Sequence, residues 1–260
     1  MFRKITILLV FSFSFICRQP VALSANSVCA HLTPECVEIG AFFNGCKIFV
    51  SGEVPQDAQV AVRLSGMRKD VALKNKGKVL GLLWMNLGNL TIHNAPSLYL
   101  VCLSKDLEKF AETQPEKWEK LGISFDSLKK QINIGSAGKD SEAIFKEFLK
   151  LRESEGLYAI QTGSVKYGTS KGGGKSFQAA LEIPPRLTPG KYLVEVFAVK
   201  EGSVAARTAR ELKVSQVGLP SFLTTLAYKR GGIYGVLATI VAIVAGLVIG
   251  VIFKGAKGGH

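Results

Sequence analysis

The sequence predicts a mainly β protein: an immunoglobulin-like β-sandwich ectodomain with a helical insertion and a second small β unit, carried on one C-terminal transmembrane helix. Three observations predict it. Residues 37–103 and 157–217 break into short alternating runs separated by Gly, Pro and Asn. Residues 105–156 switch to helical spacing of apolar side chains. Residues 233–253, IYGVLATIVAIVAGLVIGVIF, carry no charge over 21 positions, enough for a helix to cross a hydrocarbon core of about 30 Å.

In chain order, residues 1–24 read as a secretory signal. Arg3 and Lys4 form a basic start, and the apolar run 5–17 is too short to span comfortably. Arg18, Gln19 and Pro20 interrupt that run, which argues for cleavage rather than an uncleaved anchor. Ala22 and Ser24 supply the small residues that cleavage requires.

Residues 25–104 are the β-sandwich domain. Residues 37–43 lead to a turn at Asn44-Gly45, and the next run puts Cys46, Ile48 and Val50 on one face and Lys47, Phe49 and Ser51 on the other. Residues 60–64 alternate with Arg63 outward. Residues 71–73 and 79–85 flank the turn-like Lys74-Asn75-Lys76-Gly77-Lys78, and residues 90–93 and 98–103 close the set. The immunoglobulin tyrosine corner has Tyr two residues before Cys, whereas Tyr99 is three before Cys102. These residues therefore argue the architecture and not that family.

Residues 105–156 are the helical insertion. Ser104 is placed as an N-cap with acids in the first turn, and residues 141–155 form the clearest helix, ended by Gly156. Strands return over 157–167, 176–183, 192–199 and 206–214, with a hairpin turn at Glu201-Gly202. They form either a second small β unit, 157–217, or the completing half of one sheet system. Residues 218–232 are a juxtamembrane segment in which Phe222, Leu226 and Tyr228 are placed on the outer bilayer surface. The span 233–253 and a cytoplasmic tail, 254–260, with Lys254 and Lys257, follow.

Composition narrows the function classes. The chain has a formal net charge of +13, and the 33 basic residues less the three in the signal leave 30 against 20 acidic ones. An exported basic domain points away from nucleic acid and towards lipid headgroups or small anions. Arg68, Lys69, Lys74, Lys76 and Lys78 cluster around one hairpin as anion-contact candidates.

Four cysteines remain after cleavage: Cys29, Cys36, Cys46 and Cys102. An even number in an exported domain suggests disulfides, with three pairings open; Cys29–Cys36 with Cys46–Cys102 is preferred, because a strand-to-strand bridge would staple a sandwich. A metal or redox site from Cys29, His31, Cys36 and Cys46 is the alternative, although the spacing matches no familiar zinc pattern.

No catalytic constellation stands out, so neither an enzyme nor a cofactor is expected. Residues 168–176, GTSKGGGKS, resemble a phosphate-binding loop, but Thr169 stands where that motif needs Gly. A flexible basic hairpin tip fits better. The span carries the more specific signal. Ala238, Ala242, Gly246 and Gly250 make a stripe of small residues, which lets a second helix approach closely. The expected partner is another membrane protein or a second copy of the chain.

Several stretches resemble the alphaproteobacterial-type putative transmembrane protein family. They are Phe43-Asn44-Gly45, KGKVLGLLWMN over 76–86, Pro96-Ser97-Leu98-Tyr99, PGKYLVEV over 189–196, Gly218-Leu219, Tyr234-Gly235 and the terminal span. The resemblance covers roughly residues 37–253 and rests on turn and core residues. It implies a bacterial inner-membrane protein, single-pass, with its ectodomain in the periplasm and its C-terminus in the cytoplasm. It also implies an accessory role beside a sulfite-exporter-like permease, and it implies no activity. A periplasmic domain binding a small anion or lipid headgroup, or a cysteine-based redox or metal-handling domain, are the alternative functions.

Overall fold

The structure, a computed structural model, describes residues 28–79, 83–135, 141–169 and 174–255. The expected signal segment, 1–24, and tail residues 256–260 lie outside them. Within them the chain runs β1 (Cys29–Thr33), β2 (Cys36–Ile39), β3 (Cys46–Pro55), β4 (Gln59–Ser65), β5 (Arg68–Val79), β6 (Leu83–Pro96) and β7 (Tyr99–Leu103). Helices α1 (Lys105–Thr113), α2 (Pro115–Lys120) and α3 (Phe125–Lys129), strand β8 (Asn133–Gly135) and helix α4 (Ser141–Ser154) follow. Then come β9 (Tyr158–Thr162), β10 (Val165–Thr169), β11 (Gly174–Ile183), β12 (Gly190–Lys200), β13 (Ser203–Gln216), α5 (Gly218–Lys229) and α6 (Gly231–Gly255).

Alternation decides which faces are buried. On β3, Ile48, Val50 and Val54 are buried while Lys47, Phe49 and Glu53 are exposed; on β11, Phe177, Ala179, Leu181 and Ile183 are buried. These strands belong to a four-stranded sheet of order β1-β3-β11-β10. Its apolar face meets a six-stranded sheet of order β2-β13-β12-β4-β7-β9. In that sheet Val62 pairs with Cys102 and Leu64 with Leu100. The Cys102 thiol donates across the gap to the Ala180 carbonyl at 3.5 Å, which shows that this face looks at the first sheet.

The six-stranded sheet is buried on its other face too. The Tyr99 hydroxyl donates to the Ile123 carbonyl at 2.8 Å, and the Phe148 ring meets Tyr158 edge-on at 5.7 Å. The molecule therefore has three layers, sheet on sheet on helices, and β7 is buried at every position.

This arrangement decides between the two readings of the last strands. β11 pairs with β3 and β12 with β4, so residues 157–217 complete the same two sheets rather than form a separate β unit. It also corrects Arg63. That side chain points away from the sandwich core but lies under the helices, only 14% exposed. Its Nε and Nη2 donate to Glu195 Oε2 at 2.7 and 2.5 Å, and its Nη1 donates to the Gly122 carbonyl at 2.7 Å. Arg207 binds the other oxygen of Glu195, and both guanidinium groups lie over the Phe197 ring, at 5.1 and 5.2 Å.

Two local expectations also change. The hairpin of residues 68–96 is one long ribbon, joined near its base by β8 pairing with residues 91–93, because β5 continues through Lys74–Lys78 and register runs on to Val79 opposite Leu83. Ser104 precedes α1, but its hydroxyl donates to Gln59 Oε1 at 3.3 Å and makes no side-chain cap. The Glu201-Gly202 turn is present, with φ of 51° and 77°.

At the start of β12 the Tyr192 hydroxyl donates back to the Thr188 carbonyl at 2.7 Å, tying down the β11–β12 corner. That corner belongs to the end of the sandwich from which the chain leaves for α5. There Gln216 lies opposite Ile39, Val214 opposite Gly190 and Leu193 opposite Ser65. The β2–β3 loop and the ribbon base share this exit end. The β3–β4 and β12–β13 turns lie at the far end.

Candidate functional site

The exit end of the sandwich leads into two helices, and the second carries the four small residues expected to pack against a partner. Val217 closes the sandwich by donating its backbone N–H to Ile39 at 3.0 Å. Gly218 then turns the chain with φ of 69°, a conformation that glycine adopts without strain. Pro220 falls in the first turn of α5, where its missing N–H costs no helical bond.

Leu219, Phe222, Leu223 and Leu226 recur at helical spacing along α5. Phe222 and Tyr228 are exposed, at 57% and 88%, whereas Leu226 is turned inward at 9%. The helix breaks at Arg230, whose φ of −140° and ψ of 54° separate α5 from α6.

α6 is long and apolar enough to cross a membrane over Gly231–Phe253, and none of it is buried against the rest of the chain. The Thr239 hydroxyl is satisfied within the helix, donating to the Gly235 carbonyl at 2.9 Å. Ala238, Ala242, Gly246 and Gly250 stand four residues apart along it. A Cβ placed on Gly246 or Gly250 would meet nothing within 4 Å, as at Gly231, Gly232 and Gly235 on the same helix.

The anion-contact candidates are spread along the ribbon from its base. Arg68 is committed at the ribbon base, donating to the Asn94 carbonyl at 3.2 Å and to Gln131 Oε1 at 2.5 Å. Asp70 lies close by, paired with His93 at 2.7 Å, and that bond holds its carboxyl below the usual range. Lys69 and Lys74 are exposed. Register puts Lys76 opposite Asn86 and Lys78 opposite Trp84, beyond a shift at Asn75/Lys76; their side chains lie outside the described residues.

All four cysteines are free thiols, and neither expected bridge forms. Cys102 is level with Ala180, whereas Cys46 pairs with Ile183, three residues further along β11. Burial raises the Cys102 thiol to about 12, which keeps it protonated and inert. Cys29 lies opposite Glu53, and the Cys36 thiol meets the Ser215 hydroxyl at 3.7 Å in the other sheet. Among the described residues no three His, Cys, Asp or Glu side chains come together as a metal site. A hollow of about 580 Å³ on the outer face of the four-stranded sheet is lined by Cys29, His31, Ser51, Glu53, Lys166 and Gln178. Tyr167 and Phe177 also line it, and it is an open trough rather than an enclosed cavity. The phosphate-loop lookalike joins β10 to β11 as a hairpin connection, and its residues 170–173 lie outside the described residues.

Three features escaped the sequence reading. The Arg63–Glu195–Arg207 cluster was signalled by a lone acid in YLVEVFAV and a lone base in VAVRLS. Tyr192 was signalled by Pro189-Gly190 just before it. Phe42, 99% exposed in the β2–β3 loop, had no distinguishing signal, because its neighbour Phe43 is partly buried in the same apolar stretch.

The family described as Putative transmembrane protein (Alph_Pro_TM) matches residues 27–255. No curated protein matches, and neither does any solved structure.

Proposed function

The chain belongs to the Putative transmembrane protein family, and from that premise we propose that it is a membrane-anchored accessory protein. In this reading α6 crosses the bacterial inner membrane once, the β-rich domain stands in the periplasm, and the C-terminus is cytoplasmic. The signal segment 1–24 would deliver the domain to that side. The partner is a multispan membrane protein, with a sulfite-exporter-like permease as the first candidate.

One observation carries the reading: α6, apolar enough to cross a membrane, bears a stripe of small residues that no described part of the chain covers. Without a hydrophobic force between helices in lipid, such a stripe favours close van der Waals packing. The double replacement Gly246→Leu and Gly250→Leu fills the stripe while leaving the span apolar. It abolishes recovery of the partner with the tagged full-length protein. Recovery at the wild-type level would count against the stripe as the contact.

We read the sandwich itself as immunoglobulin-like. The reading is supported by the order β1-β3-β11-β10 in one sheet, by the chain changing sheets between β1 and β2, and by the parallel pairing of β2 with β13. The Tyr192 bond to Thr188, at the corner leading into β12, is the contact a tyrosine corner makes. An experimental structure whose strand order differs would overturn it.

A further inference from the structure

We infer that the exit end of the sandwich docks on the outer leaflet of the membrane that α6 crosses, with α5 lying in the headgroup region and Phe42 dipping beside it. The inference rests on α6 being a membrane span and adds a second, peripheral contact to it.

Three observations converge. First, α5 leaves Leu219, Phe222 and Leu223 exposed, at 62%, 57% and 44%, on one helical stripe. A soluble domain seldom leaves such a stripe to water, and an interfacial helix buries it at the boundary of headgroups and acyl chains. Second, a single residue, Arg230, separates α5 from the span, so the stripe is held at the membrane surface by chain continuity. Lys229 and Arg230 sit at that joint with Tyr228 and Tyr234 on either side, a basic and aromatic arrangement suited to anionic headgroups.

Third, the β2–β3 loop projects from the same end. Gln216 lies opposite Ile39 and Val217 bonds to the Ile39 carbonyl, so Phe42 follows three residues after a position that touches the start of α5. A phenylalanine 99% exposed there loses nothing by entering lipid. Met67, 46% exposed at the base of the ribbon and lying against Gly190, adds apolar surface to this end. The occupant is the lipid surface, because the span that follows brings these residues to it.

The test uses the full-length protein in vesicles of phosphatidylethanolamine and phosphatidylglycerol containing brominated lipid. Single tryptophans are introduced as Phe42→Trp, Phe222→Trp, Leu247→Trp and Val204→Trp, each read above the signal of Trp84 and Trp118. Leu247→Trp lies within α6 and reports insertion of the span itself. Val204→Trp lies near the β12–β13 turn, at the far end. The expected result is quenching and a blue-shifted emission at positions 42, 222 and 247, and neither at 204. Quenching at 247 with none at 42 or 222 would overturn the docking and leave the span intact. Loss of quenching at 247 would overturn the anchor and the docking with it.

Discussion

Replacing Arg63 with Leu should loosen the helical layer from the sheet beneath it. Glu195 is 1% exposed and accepts from Arg63 through two nitrogens and from Arg207 through its other oxygen. Arg63→Leu removes two charge-assisted bonds and leaves the Gly122 carbonyl without its donor. Removing one member of a buried ion pair costs about 3–5 kcal/mol, and because Arg207 remains, the low end, about 3 kcal/mol, applies. Arg207→Leu should cost less, about 1 kcal/mol, since that side chain is 53% exposed and Arg63 would still neutralise the acid. Against a total stability of about 5–15 kcal/mol both changes are measurable. Urea unfolding of the full-length protein in mild detergent, followed by Trp118 on α2, reads the layer directly, because Trp118 is 9% exposed there. A cost for Arg63→Leu equal to or below that of Arg207→Leu would refute the assignment of Glu195 to Arg63.

Other predictions concern single contacts. Tyr192→Phe removes only the contacts to the Thr188 carbonyl and hydroxyl and should cost about 1 kcal/mol in the same assay; unchanged stability would mean that they do not hold the corner. A Cβ on Gly52 would lie 1.8 Å from the Cys29 carbonyl oxygen, so Gly52→Ala should detach the edge strand β1. Hydrogen exchange should then speed up over residues 29–33 and not over β11. With its thiol raised to about 12 by burial, Cys102 should resist alkylation at pH 8 until the protein is unfolded, while exposed Cys29 and Cys36 react. Mass spectrometry of the labelled peptides reads this, and a non-reactive Cys29–Cys36 pair would contradict the free thiols.

Local pattern made much of this fold legible. Period-2 alternation at Cys46–Ser51 and the uncharged run of α6 each follow from one strand or one helix alone. Pairing between distant strands does not. Nothing in residues 174–183 says that they pair with 46–55, and so the sequence leaves a separate unit and a completing half both open. The ribbon was misread for a similar reason. Lys74-Asn75-Lys76-Gly77-Lys78 has the composition of a turn, yet β6 pairs with it throughout and tertiary pairing overrides local preference. Arg63 looked solvent-facing because alternation shows which face a residue takes and not what covers that face. The cysteines were counted correctly, but register along β11 keeps Cys46 and Cys102 apart. The anchor stripe was readable because four small residues at a spacing of four need no tertiary context.

Purification of the tagged full-length protein from its native membranes in mild detergent, with quantitative mass spectrometry of what accompanies it, tests the accessory role most directly. The account predicts one multispan membrane protein at near-equal amount. The protein alone, as a monomer or with only a second copy of itself, would contradict it.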